Sequence, residues 1–141
     1  MLELLALPLV AAFPNGRGRS LPRLADVHPG SPSGGRWIGL RTVPTECIRG
    51  TASMATSRGL DFRPLHGHEP ADWRFRWSRL MAAALDQAIL PPVELVRAAG
   101  AYWVVDGHNR VALAKAEGQQ WIDADVTELD FGTKSSAAAA A

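Results

Sequence analysis

A short polar segment between an apolar run and a helical pattern holds the residue types most able to do chemistry. It reads Asp106, Gly107, His108, Asn109, Arg110. Glycine permits backbone conformations and close approaches that a Cβ would block, and the amides after it begin a helix whose first donors lack intrahelical acceptors. Those amides and the helix dipole favour an anion, and Arg110 adds a planar fork suited to phosphate oxygens. The segment therefore predicts a phosphate site formed by Gly107, His108, Asn109 and Arg110.

The same segment supports two further interpretations. An acid and an imidazole beside a phosphate are candidates for general acid–base catalysis, so Asp106 and His108 are candidate catalytic residues, and Asp106 is also a candidate Mg²⁺ ligand. In the purely structural interpretation, Asp106 caps the helix, His108 and Asn109 face solvent, and Arg110 pairs with Asp106 or Glu94. Because an arginine in a first helical turn opposes the dipole, either an anion or a carboxylate must compensate it.

The remaining candidate sites are weaker. The pair His66 and His68 lacks a third ligand at a recognisable spacing, so no metal site is predicted. The single cysteine, Cys47, excludes an intrachain disulfide and is expected to be buried rather than reactive. No GxxxxGK[ST] or GxGxxG motif is present.

Charge is distributed unevenly along the chain. The net charge is +1, but eleven arginines against six acids give +5 over residues 1–80, and four basic residues against eight acids give −4 over residues 81–141. The basic residues of the first half could bind phosphate groups. Alternatively, they form an arginine-rich surface that is exposed to solvent. Trp and Arg alternate over residues 73–77, as on nucleic-acid surfaces, but the spacing of Trp73 and Trp77 favours a helix face packed on the core, with the intervening arginines at a basic rim.

The elements that must position the polar segment follow from hydrophobic periodicity. A strand is predicted within residues 37–43, and a helix over 72–88, with residue 72 at its start and Pro91 beyond its end. A hairpin through residues 98–101 joins two further strands, the second over 102–105. A helix over 108–117 ends at Gly118, and a last strand lies within 120–129. The segment at residues 58–62 is expected to fold over the site or the sheet edge.

This order, β-α-β-β-α-β, predicts an α+β (mixed α/β) domain with a small mixed sheet and packed helices. The expected division is an apolar, helical segment at 1–13, an irregular Pro/Gly-rich linker at 14–35, the domain at 36–130 and a low-complexity tail at 131–141. The first segment lacks a basic start and is too short to span a bilayer, so no signal peptide or membrane span is expected and a cytoplasmic protein is predicted.

Residues 40–128, and most clearly 90–128, resemble the N-terminal domain of the ParB and sulfiredoxin superfamily. That family has a strand-turn-strand, a Gly-x-x-Arg helix start, an Ala-rich helix, a glycine and an Ile-x-Ala-x-Val strand. The matching residues here are Gly107, Arg110, Gly118, Ile122, Ala124 and Val126. The small single-domain members with an Asp-Gly-His-His-Arg motif are the most similar, with Asn109 in place of the second histidine.

The resemblance implies a nucleotide site, because the matching turn holds CTP phosphates in ParB proteins and ATP phosphates in sulfiredoxins. Gly107 then corresponds to the backbone cradle and Arg110 to the phosphate-binding arginine. ParB proteins carry two adjacent arginines, and Asn109 replaces the first of them. Sulfiredoxins carry a nucleophilic cysteine where this chain has His108, so the attacking thiolate of that chemistry is missing.

Three functions are therefore compatible with the sequence. The first is a nucleotide-binding domain that uses ATP or CTP with Mg²⁺, with NTP hydrolysis or phosphoryl transfer as its reaction. The second is a DNA-binding protein or nuclease whose turn meets backbone phosphates. The third is a non-catalytic interaction module. The chain ends soon after the domain, so operator recognition by a helix-turn-helix is not expected, no membrane partner is predicted, and homo-oligomerisation stays open.

Overall fold

The computed structural model describes residues 19–53 and 57–131. The predicted helix over residues 1–13 lies outside these residues, as does nearly all of the predicted tail. The described residues contain three α-helices and five strands, with a 3-10 turn at Thr45–Cys47. In chain order these are α1 Leu24–Val27, β1 Gly34–Pro44, β2 Ile48–Thr51, α2 Trp73–Leu85, β3 Val93–Ala98, β4 Ala101–Asp106, α3 His108–Ala116 and β5 Trp121–Asp130.

The five strands form one mixed sheet in the order β1-β5-β3-β4-β2. β1 is antiparallel to β5 and β3 to β4, whereas β5 is parallel to β3 and β2 is parallel to β4. The predicted α+β class with a mixed sheet is therefore confirmed. None of the helices among the described residues is long and apolar enough to cross a membrane.

The β3–β4 hairpin forms at the predicted turn. Ala98 pairs with Ala101, which leaves two loop residues, Ala99 at φ 52° and Gly100 at φ 74°. Two consecutive positive φ values match the right-handed twist of the flanking strands in a two-residue hairpin. The hairpin aligns β3 and β4 so that their far ends, at Glu94 and Asp106, lie opposite each other.

Apolar clusters cover both faces of the sheet. The larger one joins strand residues to Val111 and Ala112 of α3, and so fixes that helix against the sheet. The smaller one surrounds Trp103, which is fully buried and donates an indole N–H to the carbonyl of Ala98 at 2.9 Å. Since β3 and β4 are covered on both faces, they carry nearly continuous apolar runs rather than strict alternation.

The structure adds elements that the sequence patterns do not predict. The expected irregular linker contains the helical turn α1, and Leu21 and Leu24 are buried in the two clusters. The linker prediction is therefore corrected over this stretch, because these apolar side chains find sheet surface to cover. β2 is also absent from the predicted elements, since Ile48–Thr51 is too short for periodicity to identify.

Two burial predictions are corrected as well. Cys47 is exposed rather than buried, because the 3-10 turn that carries it buries Thr45 instead. No residue of α2 is fully buried: Trp73 and Trp77 are half-buried, with ring centroids 5.0 Å apart. The predicted apolar face of this helix therefore packs only loosely on the domain.

Phe62 fixes the loop between β2 and α2. It is 1% exposed and has φ 70°, a left-handed conformation that is uncommon for a bulky residue. Its burial in the larger cluster must offset that strain.

Replacing Phe62 with alanine is therefore expected to lower the free energy of unfolding by about 3–5 kcal/mol, as for other buried aromatic side chains. Phe75→Ala is the matched control, because that ring is 65% exposed, and it should change stability by no more than about 0.5 kcal/mol. Urea denaturation of both variants measures the difference. Equal losses would show that the loop is not anchored through Phe62.

Candidate phosphate-binding site

Gly107 makes the junction between β4 and α3. It is the N-cap residue, with φ 108° and ψ 26°, a left-handed conformation that favours glycine. A Cβ built on it would lie 2.7 Å from Cγ1 of Val93 and 3.2 Å from Nη2 of Arg110. The helix therefore starts directly against β3, which leaves no room for a side chain.

The start of α3 presents backbone donors that have no hydrogen-bond partner among residues 19–53 and 57–131. The first backbone bond of the helix joins the amide of Val111 to the carbonyl of Gly107 at 2.9 Å. The amides of His108, Asn109 and Arg110 precede it and have no intrahelical acceptor. No side chain among the described residues caps this end, so Asp106 does not act as the capping residue of the structural interpretation.

Arg110 is held by the protein itself. Nη1 donates to the carbonyls of Pro91 and Pro92 at 2.8 and 3.0 Å, and Nη2 lies 3.0 Å from Oδ2 of Asp106. The Arg110 side chain is 18% exposed. The ion pair with Asp106 is the one foreseen in the structural interpretation, and it compensates the misplaced charge without a ligand. Arg110 ties the loop before β3 to the start of α3.

His108 points into the protein rather than into solvent. Its Nε2 lies 2.8 Å from Oγ1 of Thr51, a fully buried hydroxyl at the end of β2. Burial, followed by the positive charge of Arg58, lowers the pKa of His108 from 6.5 to about 4, against the opposing effect of Asp106. The imidazole is therefore neutral at pH 7, with one ring nitrogen engaged by Thr51.

Asn109 is the anchor for the loop that covers the site. Its Oδ1 accepts a hydrogen bond from Nη1 of Arg58 at 2.8 Å, and the same nitrogen donates to the carbonyl of Phe62 at 2.7 Å. The segment at residues 58–62 thus folds over the predicted site, as expected. Neither His108 nor Asn109 is solvated in the way that the structural interpretation requires.

These elements enclose a pocket of about 680 Å³ in front of α3. Its lining combines the predicted turn, the loop before β3 and one side of α2. The lining residues are Arg58, Arg76, Arg79, Leu80, Leu90, Pro91, Pro92, Glu94, Asp106, Gly107, His108, Asn109 and Arg110. All five residues of the predicted segment therefore lie at one pocket, whereas His66, His68 and Cys47 are not part of it.

Positive charge dominates the pocket. Four arginines and two acids line it, a balance of +2, and one of those acids, Asp106, is already paired with Arg110. Burial and then the nearby charge of Arg76 lower the pKa of Arg58. Arg58 and Arg76 therefore repel each other, although Asp61 lies near Arg58 and Asp72 pairs with Arg76 at 3.5 Å; a bound anion relieves such repulsion further.

Sequence reasoning misses most of these arginines. It places Arg76 only at a general basic rim and assigns Arg79 to no site. Both come to the site because α2 packs beside α3. Their spacing of three residues, which puts side chains on one side of a helix, is the signal that could have found them. Thr51, the partner of His108, leaves no signal in the sequence.

Glu94 and Asp106 form the acidic edge of the pocket. They are directly opposite each other across β3 and β4, an arrangement that like charges disfavour unless a cation lies nearby. Arg110 supplies one such cation. Among the described residues no group of three or more His, Cys, Asp or Glu side chains is placed to hold a metal ion by itself.

Comparisons with known proteins place few limits on function. No family model and no curated protein matches the chain. Among solved structures, sulfiredoxin from Arabidopsis thaliana is similar, with 20% identity over 62% of this chain and 82% of that chain, and a TM-score of 0.42. A likeness this distant assigns neither a family nor an activity.

The environment of His108 predicts a specific pH dependence. Because its pKa is about 4 in the folded protein and 6.5 without the fold, the unfolded chain takes up the proton first as pH falls. The stability that the fold gains from a neutral His108 is complete above pH 6.5 and is lost as the pH falls from 6.5 toward 4. His108→Gln should therefore flatten the decline in the free energy of unfolding across this range, measured by urea denaturation at a series of pH values.

An NMR titration of the wild-type imidazole carbons is the companion measurement. A His108 resonance that titrates at the ordinary histidine pKa would contradict its buried, neutral state.

Gly107→Ala tests the close approach at the start of α3. A left-handed alanine costs about 1 kcal/mol or somewhat more, and the contact with Val93 should add to that cost. Gly100→Ala is the matched control, because Gly100 also has positive φ but a Cβ there would meet nothing within 4 Å. Urea denaturation should show a larger loss in the free energy of unfolding for Gly107→Ala than for Gly100→Ala. Equal losses would show that the contact with Val93 adds no cost.

Proposed function

We propose that the pocket in front of α3 binds the phosphate groups of a nucleotide. One observation carries the proposal: the first turn of α3, whose amides have no intrahelical acceptor, and four arginines line the same cavity. Helix N-termini and arginine forks are the two groups that proteins most often direct at phosphate oxygens. The neutral His108 adds no charge of its own, so the positive potential comes from the arginines and the helix.

The shape and the remaining lining of the pocket fit a nucleotide better than inorganic phosphate alone. A volume of about 680 Å³ lies within the range of small-molecule sites, about 300–1,000 Å³. Leu80, Leu90 and the two prolines at 91–92 supply apolar surface beside the charged end. A base and a sugar can occupy that surface while the phosphates meet the arginines.

The arginines of the pocket have different roles in the proposed binding. Arg110 is engaged by two carbonyls and a carboxylate, so we assign it to positioning the turn, with its remaining donors toward the ligand. Arg76 and Arg79 lie on the exposed side of α2, where they can reach a phosphate without breaking core contacts. The binding energy is therefore expected to come chiefly from these two side chains and the amides.

Mg²⁺ fits this site as a companion of the nucleotide. The carboxylates of Glu94 and Asp106 face each other at the pocket edge, and oxygen ligands with substrate phosphates form the usual coordination of Mg²⁺. When bound, the ion would neutralise phosphate charge. The catalytic roles of Asp106 and His108 stay predictions, and the proposal here concerns binding.

The test is a thermal-shift and calorimetry panel with ATP, CTP, GTP and a short DNA duplex, each with and without Mg²⁺. Nucleotide should stabilise the wild-type protein, and replacing both Arg76 and Arg79 with alanine should weaken binding at least about tenfold, as expected for lost charge-assisted hydrogen bonds. Arg110→Ala is a less informative variant, because it also removes three internal bonds.

Arg36→Ala is the control for the loss of positive charge, because Arg36 lies on β1 and its side chain is 78% exposed. It should leave nucleotide affinity unchanged. Salt-sensitive binding of DNA without nucleotide preference would instead support the backbone-phosphate function. No response to any of the ligands would favour the interaction module and overturn the proposal.

A further inference from the structure

A second cavity lies at the opposite end of α3. Its volume is about 830 Å³, and its lining includes Thr45 of the 3-10 turn, Lys115 near the end of α3 and Trp121 at the start of β5. It shares no lining residue with the arginine pocket. The two cavities therefore occupy the two ends of one helix, with different chemistry at each.

Lys115 is the central charged group of this cavity. Its Nζ donates to the carbonyl of Thr45 at 3.1 Å and lies 5.5 Å from the ring centroid of Phe62. Burial lowers its pKa, against the opposing effect of Glu46. Among the described residues Thr45 is the one hydrogen-bond acceptor of this ammonium, which has three donors. A half-buried ammonium with unused donors favours an anionic oxygen.

A second cation stands at the same cavity. Arg63 lies over the ring of Trp77 at 5.0 Å, and its guanidinium has no hydrogen-bond acceptor among the described residues. Asp61, by contrast, already accepts a hydrogen bond from the amide of Arg63 at 3.0 Å. The guanidinium of Arg63 therefore adds hydrogen-bond donors on this side of the cavity that an anionic oxygen can accept from.

The acids limit which anion can enter. Glu46 and Asp61 balance Lys115 and Arg63, so the cavity is close to neutral overall, in contrast to the arginine pocket. A doubly charged phosphate would be repelled by the two carboxylates, whereas a single carboxylate can meet Lys115 with less repulsion. The charge pattern thus favours a monoanion.

The apolar lining of the cavity determines what kind of body the ligand can carry beside its carboxylate. Leu60 and the alanines of α3 at positions 112 and 116 provide an apolar wall, and Trp121 is 57% exposed at the cavity. An exposed tryptophan beside a cavity offers a flat surface for an aromatic or aliphatic body. We infer that this cavity binds a small organic acid with one carboxylate, held by Lys115, and an apolar body packed on Trp121.

The experiment is a heteronuclear NMR titration of the full chain with phenylacetate and with its neutral isostere, phenylacetamide. Phenylacetate should shift the Trp121 indole and the amides around Lys115 and Gly118, and leave the amides of residues 108–110 in place. Phenylacetamide should bind at least about tenfold more weakly, because it cannot pair with the ammonium.

Lys115→Met keeps the length of the side chain and removes the charge, and it should weaken phenylacetate binding by a similar factor. Trp121→Ala is the second variant, since this exposed side chain can be removed with less risk to the fold, and it should weaken both ligands. Arg36→Met is the control for charge and should change neither. Equal affinity for the two ligands, shifts centred on residues 108–110, or no saturable shift would each overturn the inference.

Discussion

The close packing of Gly107 on Val93 is the constraint on which the site depends. A left-handed glycine lets the chain turn from β4 into α3 without a side chain, so the first amides of the helix emerge beside the end of β3. The same turn places Arg110 against the loop before β3, which its guanidinium then holds through two carbonyls. Sheet, loop and helix therefore meet at one point, and the pocket forms in front of it.

Electrostatics at this point are organised in two layers. The inner layer is internally compensated: Arg110 pairs with Asp106, and His108 stays neutral against Thr51. The outer layer adds net positive charge, because Arg58, Arg76 and Arg79 line the pocket. Of these, Arg76 is partly offset by the carboxylate of Asp72, at 3.5 Å. Arg110, inside the turn, is therefore less important for binding a phosphate than the arginines that surround the turn. Among these, Arg58 is also hydrogen-bonded to the loop that covers the site.

Much of the fold can be predicted because local patterns in the sequence determine it. The hairpin, the helix ending before Gly118 and the alternation of β5 all follow from short-range periodicity and turn residues. The predicted turn also lies at a pocket. The helical turn α1, the strand β2 and the contact of His108 with Thr51 could not be predicted, because they depend on which distant surfaces meet. The predicted face of α2 packs on the core through Trp77, but its residues are half-buried rather than fully buried.

The most direct test of the account is an NMR titration of the assigned protein with pyrophosphate, which carries the proposed phosphate chemistry without a base. The account predicts saturable shifts of the His108, Asn109 and Arg110 amides, together with the guanidinium resonances of Arg76 and Arg79. Saturable shifts centred elsewhere in the chain, or none at these amides, would contradict the claim that the start of α3 is a phosphate site.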